Sequence, residues 1–112
     1  LAAINRSASA HRMILKTGVL SINVLSEEQL AIARSFAGMV EGVNGEKRFR
    51  VGEWVKGVTG VPILKDALSY FECKVVEVVT ASTHDLFICE VLNLGRIPNY
   101  GSPLIYFNGK FL

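Results

Sequence analysis

Between Asn5 and Arg12 the chain reads NRSASAHR, which packs an amide, two guanidiniums, two hydroxyls and an imidazole into one connection. An apolar run stops at Asn5 and resumes at Met13 and Ile14. At a strand-to-helix turn, the first main-chain N–H groups of the helix have no partner inside it. Donors of these kinds, gathered together, suit an anion. The plainer reading of the same residues is a solvated helix cap with incidental charge. His84 is the second candidate, because it follows Ser82 and Thr83 at the tip of a hairpin. Imidazole donates, accepts or trades a proton near neutral pH. Its plainer reading is a surface turn residue. For His11 that reading is an exposed residue in a helix's first turn.

No metal site is expected. His11, Cys73, His84 and Cys89 are scattered, without the close paired spacing that zinc needs. GVTGVP, residues 57–62, lacks the spacing of a dinucleotide fingerprint and reads as a turn. There is no nucleophile elbow and no P-loop. A net charge of +2 does not suggest nucleic acid. Half the residues are hydrophobic and a fifth are charged, which places the chain among globular domains. No apolar run approaches the length of a membrane span. Cys73 and Cys89 lie in alternating apolar segments and read as buried free thiols of a reducing compartment. A disulfide stays open if their strands pair.

The elements that must position these residues follow from periodicity. The 112 residues fit one domain. Leu1 to Ile4 reads as the end of a buried strand. A short helix over 9–16 follows, with Ser7 or Ser9 as N-cap and Gly18 as the left-handed residue past its end. Residues 19–25 alternate, with Leu20, Ile22 and Val24 on one face. Residues 26–38 read as the clearest helix. Ser26 and Gln29 make a capping box, Leu30, Ala33 and Phe36 or Ala37 form a stripe, and Gly38 ends it. The stretch 39–61 is too long for an idle loop and suggests a functional excursion, pinned to the core by Phe49 and Trp54. Residues 67–79 and 86–94 form a long hairpin. A slip of phase in its first arm predicts a bulge that turns Val76 and Val78 inward. Residues 103–111 give a last strand. About five strands and two short helices predict a mainly β domain, a closed or nearly closed antiparallel barrel. Phe36, Phe49, Trp54, Tyr70, Phe71 and Phe87 read as core, whereas Tyr100 and Tyr106 suit core or site.

Six segments, in order and over nearly the whole chain, carry a resemblance. AINRSASAHRMI, GVLSINVLSEEQLAIARSFAG, KRF, GVPILKDALSYFECKVVEV, HDLFICEV and PLIYFNGKF together resemble the flavin reductase-like family. The resemblance implies the FMN-binding split barrel, an antiparallel split β-barrel with two short helices. It implies a cytoplasmic NAD(P)H-dependent flavin reductase, usually a homodimer, with FMN or FAD near the dimer interface. Hydride would pass from the nicotinamide to flavin N5. Reduced flavin or electrons would pass on to an oxygenase or redox-module partner, with no nucleic acid or membrane involved. The alternative is an FMN-binding electron-transfer module without direct NAD(P)H reactivity.

By the same resemblance, Asn5, Arg6, Ser7, Ala8 and Ser9 line the phosphate and ribityl side of the flavin, and His11 and Arg12 are close enough to join them. Ser35, Phe36, Ala37 and Gly38 match the helix end that borders the flavin. Tyr106 matches a late aromatic beside it. His84 matches the histidine of the family's Gly-Asp-His-type turn, on the nicotinamide side, and is the candidate catalytic residue. Two departures stand out. The turn here reads Ser-Thr-His-Asp, which keeps the histidine but not its Gly and Asp. The family's N-terminal strands have no counterpart before Leu1, so an N-terminal truncation is expected.

Overall fold

The computed structural model describes residues 1–97 and 101–112. Tyr100 lies outside the described residues. The protein is mainly antiparallel β with two short α-helices, as expected. Strands β1 (Ala2–Asn5), β2 (Val19–Val24), β5 (Ser69–Ala81) and β6 (His84–Arg96) form one sheet in the order β1-β6-β5-β2. Two ribbons, β3 (Trp54–Lys56) with β4 (Pro62–Leu64) and β7 (Tyr106–Phe107) with β8 (Lys110–Phe111), raise the described strands to eight. The final strand expected over 103–111 is instead the β7–β8 hairpin. Asn108 and Gly109 both take positive φ, 53° and 80°, which is the geometry of a tight Asn-Gly turn.

Helix α1 (Ser9–Thr17) ends at Gly18, whose φ of 71° lets its N–H reach the carbonyl of Ile14 at 2.8 Å. Its N-cap is Ala8 rather than Ser7 or Ser9. The Ser7 hydroxyl and N–H both donate to Asn5 Oδ1, at 2.7 and 2.8 Å, so that hydroxyl serves a local turn instead of the helix. The expected helix over 26–38 divides into a 3-10 turn, Glu27–Gln29, and helix α2, Leu30–Phe36. Gln29 Oε1 accepts from the Ser26 N–H at 2.9 Å, which is the glutamine half of a capping box. The Gln29 amide also donates to the Asp66 carbonyl. Ile32 and Ser35 are the buried residues of α2, so the stripe is rotated from the one expected at Leu30, Ala33 and Phe36 or Ala37.

Two clusters make the core. Ile14, Leu20, Cys73 and Phe87 pack between α1 and the sheet. Ile32, Leu64 and Ala67 pack under α2, edged by Phe36 and Trp54. The excursion is fastened as expected, by an aromatic triangle. Phe36, Phe49 and Trp54 have centroids 5.1 to 5.2 Å apart. The polar face of β2 has work too. Ser21 Oγ donates to the Pro62 carbonyl, and Asn23 Oδ1 accepts from the Leu64 N–H, so β4 is tied to the sheet.

The β5–β6 hairpin is longer than expected, with only Ser82 and Thr83 between its arms. Its register shifts between Glu72 and Cys73 and between Val75 and Glu77. The expected bulge is present and centres on Val76, which does not turn inward, whereas Val78 lies across from Phe87 and so on that core residue's face, as expected. Val76 has no cross-strand partner in the register, and the two valines stay 60% and 42% exposed. Cys73 faces Val91 and Cys89 faces Val75, so the strands pair without joining the cysteines, and both are free thiols. Burial pushes both thiols up from their ordinary value.

One carboxylate is fully buried. Glu72 Oε1 accepts from the Thr59 N–H at 3.1 Å and its hydroxyl at 2.9 Å, while Oε2 accepts from Asn93 Nδ2 at 2.8 Å. It thereby clamps the turn between β3 and β4 to the central hairpin. The Asn93 bond first, then those from Thr59, hold Glu72 below the usual carboxylate range against the opposing effect of burial.

Candidate active site

The first site residue is placed by β1. This strand pairs antiparallel with β6, so Asn5 lies directly across from His84. Side chains of directly opposed residues share a face. The Asn5 side chain then folds the chain into the turn at Ser7, and the Ala8 N–H closes it on the Asn5 carbonyl at 2.9 Å. His84 is half-buried, and its Nδ1 lies 2.8 Å from Thr83 Oγ1. Asn5, Ser7 and His84 are thus gathered at one end of the sheet.

Arg6 does not stand free for an anion. Its N–H donates to the Thr83 carbonyl at 3.0 Å, and its guanidinium donates to the carbonyls of Ser82 and His84 and to Asp85. His11 is not the exposed first-turn residue that the sequence suggested. It is buried, with Nε2 2.6 Å from Asp85 Oδ2 and its ring edge-on to Phe87. An ionised carboxylate only accepts, so His11 Nε2 carries the hydrogen. His11 therefore supports the turn from beneath. The His11 bond, then Thr80 and the Arg6 charge, hold Asp85 below the usual carboxylate range, although burial pushes the other way. Arg12 is exposed on α1.

The residue that sequence reasoning missed as a cation is Arg48. It lies in the 3-10 turn Gly45–Arg50 of the excursion, and its guanidinium donates to Ser9 Oγ at 3.3 Å. Its Nε is buried without a partner. Ser9 opens α1, whose N-terminus has no side-chain cap. The turn that carries Arg48 also carries Phe49, which packs on Phe36 of the Ser35–Gly38 segment. The excursion therefore bridges the NRSAS turn and the end of α2. Only its length hinted at this in the sequence. Among the described residues no hydrogen bond or ring contact joins Tyr106 to the group; Tyr106 packs against Phe111, 4.9 Å between centroids. Among the described residues no three His, Cys, Asp or Glu side chains form a metal-binding group.

This arrangement offers a helix end without a side-chain cap, an arginine beside it and, across the ladder from Asn5 of β1, a histidine, which suits a phosphate-bearing ligand near a polar tip. The family model of the flavin reductase like domain matches residues 1–112. The chain belongs to that family. It is 37% identical over 111 residues to the FMN reductase (NADH) RutF of Variovorax paradoxus (strain S110), covering 99% of this chain and 59% of that protein. It is 36% identical to the 4-hydroxyphenylacetate 3-monooxygenase reductase component of Klebsiella oxytoca, covering 99% and 64%. The solved structure of the flavin reductase PheA2 in its native state superposes with a TM-score of 0.85 at 30% identity, over 99% of this chain and 67% of that one. The fold of this flavin reductase-like chain is that of its solved relatives. The chain spans about three-fifths of the length of the curated relatives it matches.

Proposed function

We propose that the protein reduces FMN or FAD with NADH or NADPH, as part of a split barrel. The observation that carries the reading is the Arg48 guanidinium donating to Ser9 Oγ at 3.3 Å, at the start of α1, whose N-terminus has no side-chain cap. These residues fit a flavin's phosphate. When bound, the flavin supplies the hydride-accepting chemistry. The chain supplies placement. Arg48 and Ser9 bind the phosphate, with Ser7 and the 5–9 backbone beside them. Ser35 to Gly38 form the wall on the excursion side. His84 orients the nicotinamide so that the two rings meet, a gain that comes chiefly from proximity. Arg6, His11 and Arg12 are further expected members of the flavin side, the first two acting through the turn they hold. Tyr106 is the expected late aromatic.

An oxygenase that consumes the reduced flavin is the proposed partner, by analogy with the monooxygenase reductase component. A homodimer is proposed through exposed apolar residues of β5 and β6, where Val76, Leu92 and Leu94 are 60%, 46% and 62% exposed. A cytoplasmic location agrees with the two free thiols. No helix among the described residues is long and apolar enough to cross a membrane.

The test is an anaerobic FMN titration of the full-length protein, followed by fluorescence, and then addition of NADH. Stoichiometric quenching and subsequent bleaching are expected. Quenching without bleaching would replace the reductase reading by an electron carrier. No quenching would reduce the likeness to one of fold.

A further inference from the structure

The tip of the β5–β6 hairpin is gripped by one residue from another element. Three consecutive carbonyls, those of Ser82, Thr83 and His84, all accept from Arg6, the middle one from its main-chain N–H and the outer two from its guanidinium. Ser82 sits at φ 53°, a region that a residue with a side chain enters only when its surroundings hold it there. The guanidinium is aimed in turn. Arg6 Nη1 lies 3.4 Å from Asp85 Oδ1, while Oδ2 of the same carboxylate takes the His11 bond at 2.6 Å. Thr80 lies directly across the ladder from Asp85 and helps hold its carboxyl below the usual range. The turn after β1, helix α1 and strand β5 thus meet on one buried carboxylate. It is adjacent to His84 but points to the other side of β6, as successive strand residues do.

We infer that Arg6 is a positioning residue for His84, fixing the hairpin tip through its three carbonyls, with Asp85 and His11 aiming the guanidinium. It is not a phosphate ligand. This inference rests on the reading that His84 faces the nicotinamide. A planar fork reaches two carbonyls and a carboxylate from two separate nitrogens, whereas the ammonium of lysine holds its three donors on one atom. Arg6→Lys keeps the charge and the main-chain bond to Thr83, and loses the simultaneous grip on residues 82 and 84.

The experiment compares Arg6→Lys, His84→Ala, their double variant and Asp85→Asn in the full-length protein. It measures FMN affinity by fluorescence and NADH oxidation under steady state. Arg6→Lys is expected to lower kcat/KM for NADH about tenfold or more while the Kd for FMN moves less than about twofold. In the double variant, the Arg6 change is expected to add almost nothing to His84→Ala, because residues acting as a unit are not additive. Asp85→Asn, close in shape, is expected to reproduce the Arg6→Lys pattern more weakly. A general loosening of the fold would move both ligands and would add to His84→Ala. If Arg6→Lys weakens FMN and spares NADH, Arg6 is a flavin ligand and the inference is wrong. If His84→Ala lowers turnover and neither Arg6→Lys nor Asp85→Asn does, the grip has no function and the inference is again wrong. If His84→Ala itself changes nothing, the underlying reading of His84 fails, and the inference goes with it.

Discussion

Replacing Gly57 by alanine probes the Glu72 clamp directly. Gly57 does not lie in the left-handed region, so alanine suits its backbone, and any cost must be steric. A Cβ there would sit 2.1 Å from Glu72 Oε1 and 2.4 Å from its carboxyl carbon. An ordinary carbon–oxygen contact is about 3.3 Å. The carboxylate would have to retreat by about 1 Å, which takes it out of reach of the Thr59 and Asn93 donors now at 2.8 to 3.1 Å. Overpacking costs about 1–3 kcal/mol. Buried donors left without acceptors add about 1–3 kcal/mol. The expected loss is therefore about 3 kcal/mol, a large part of the stability of a domain this size. Urea unfolding should show it as a midpoint lower by about 1–2 M. Gly60→Ala is the control. It meets no atom within 4 Å but sits at φ 87°, so it should cost about 1–2 kcal/mol for backbone reasons alone. In a Glu72→Ala background the Gly57→Ala cost should vanish, while that of Gly60→Ala persists. A Gly57→Ala loss within about 0.5 kcal/mol of zero, or one that survives removal of Glu72, would refute the clamp.

Further outcomes follow from the same contacts. Arg48→Ala should weaken FMN binding by about tenfold to a hundredfold, the worth of a charge-assisted bond; an unchanged Kd in a fluorescence titration would remove Arg48 from the site. Asp85 and Glu72 both titrate below their ordinary values when folded. Their contribution to stability is therefore present above the ordinary carboxylate range of about 4 and is lost as pH falls through the lower folded values. Urea midpoints should stay flat from about pH 7 to 5 and drop below about pH 4, and the drop should be shallower in Asp85→Asn. Cys73 and Cys89 should react with iodoacetamide at pH 8 more slowly than cysteine in the urea-unfolded chain, since burial keeps their thiols protonated; equal rates would contradict it.

The parts of the fold legible in the sequence are those set by local chemistry. Gly18 ends α1 where a left-handed residue was expected, and the alternation of 19–24 and of the long hairpin survives as strands. The failures have tertiary causes. The buried face of α2 is chosen by Leu64 and Ala67, which lie far along the chain from Ile32. Val76 looks buried by composition, and only the register of β6, which leaves it unpaired at the bulge, decides that it is not. For the site, the NRSAS turn and His84 were legible as polar residues at turns, and the resemblance placed them together. That Arg6 and His11 answer to Asp85 was not legible, because those contacts span more than seventy residues. Arg48 was hidden because it is one basic residue among several and its partner Ser9 lies far along the chain.

The long hairpin also bears on the order of folding. Its thirteen-residue arms close from a two-residue turn, so most of its pairs form between near neighbours in sequence. Strand β1 docks on β6 only after the chain has closed a loop of nearly eighty residues. The hairpin can therefore zip early, while the edge that brings Asn5 and Arg6 to the tip arrives late. The contacts that hold the tip are then the last native event rather than the first. Amides of β1 should exchange with solvent sooner than those in the middle of β5, and a refolding chain should protect the amides of β5 and β6 before those of β1.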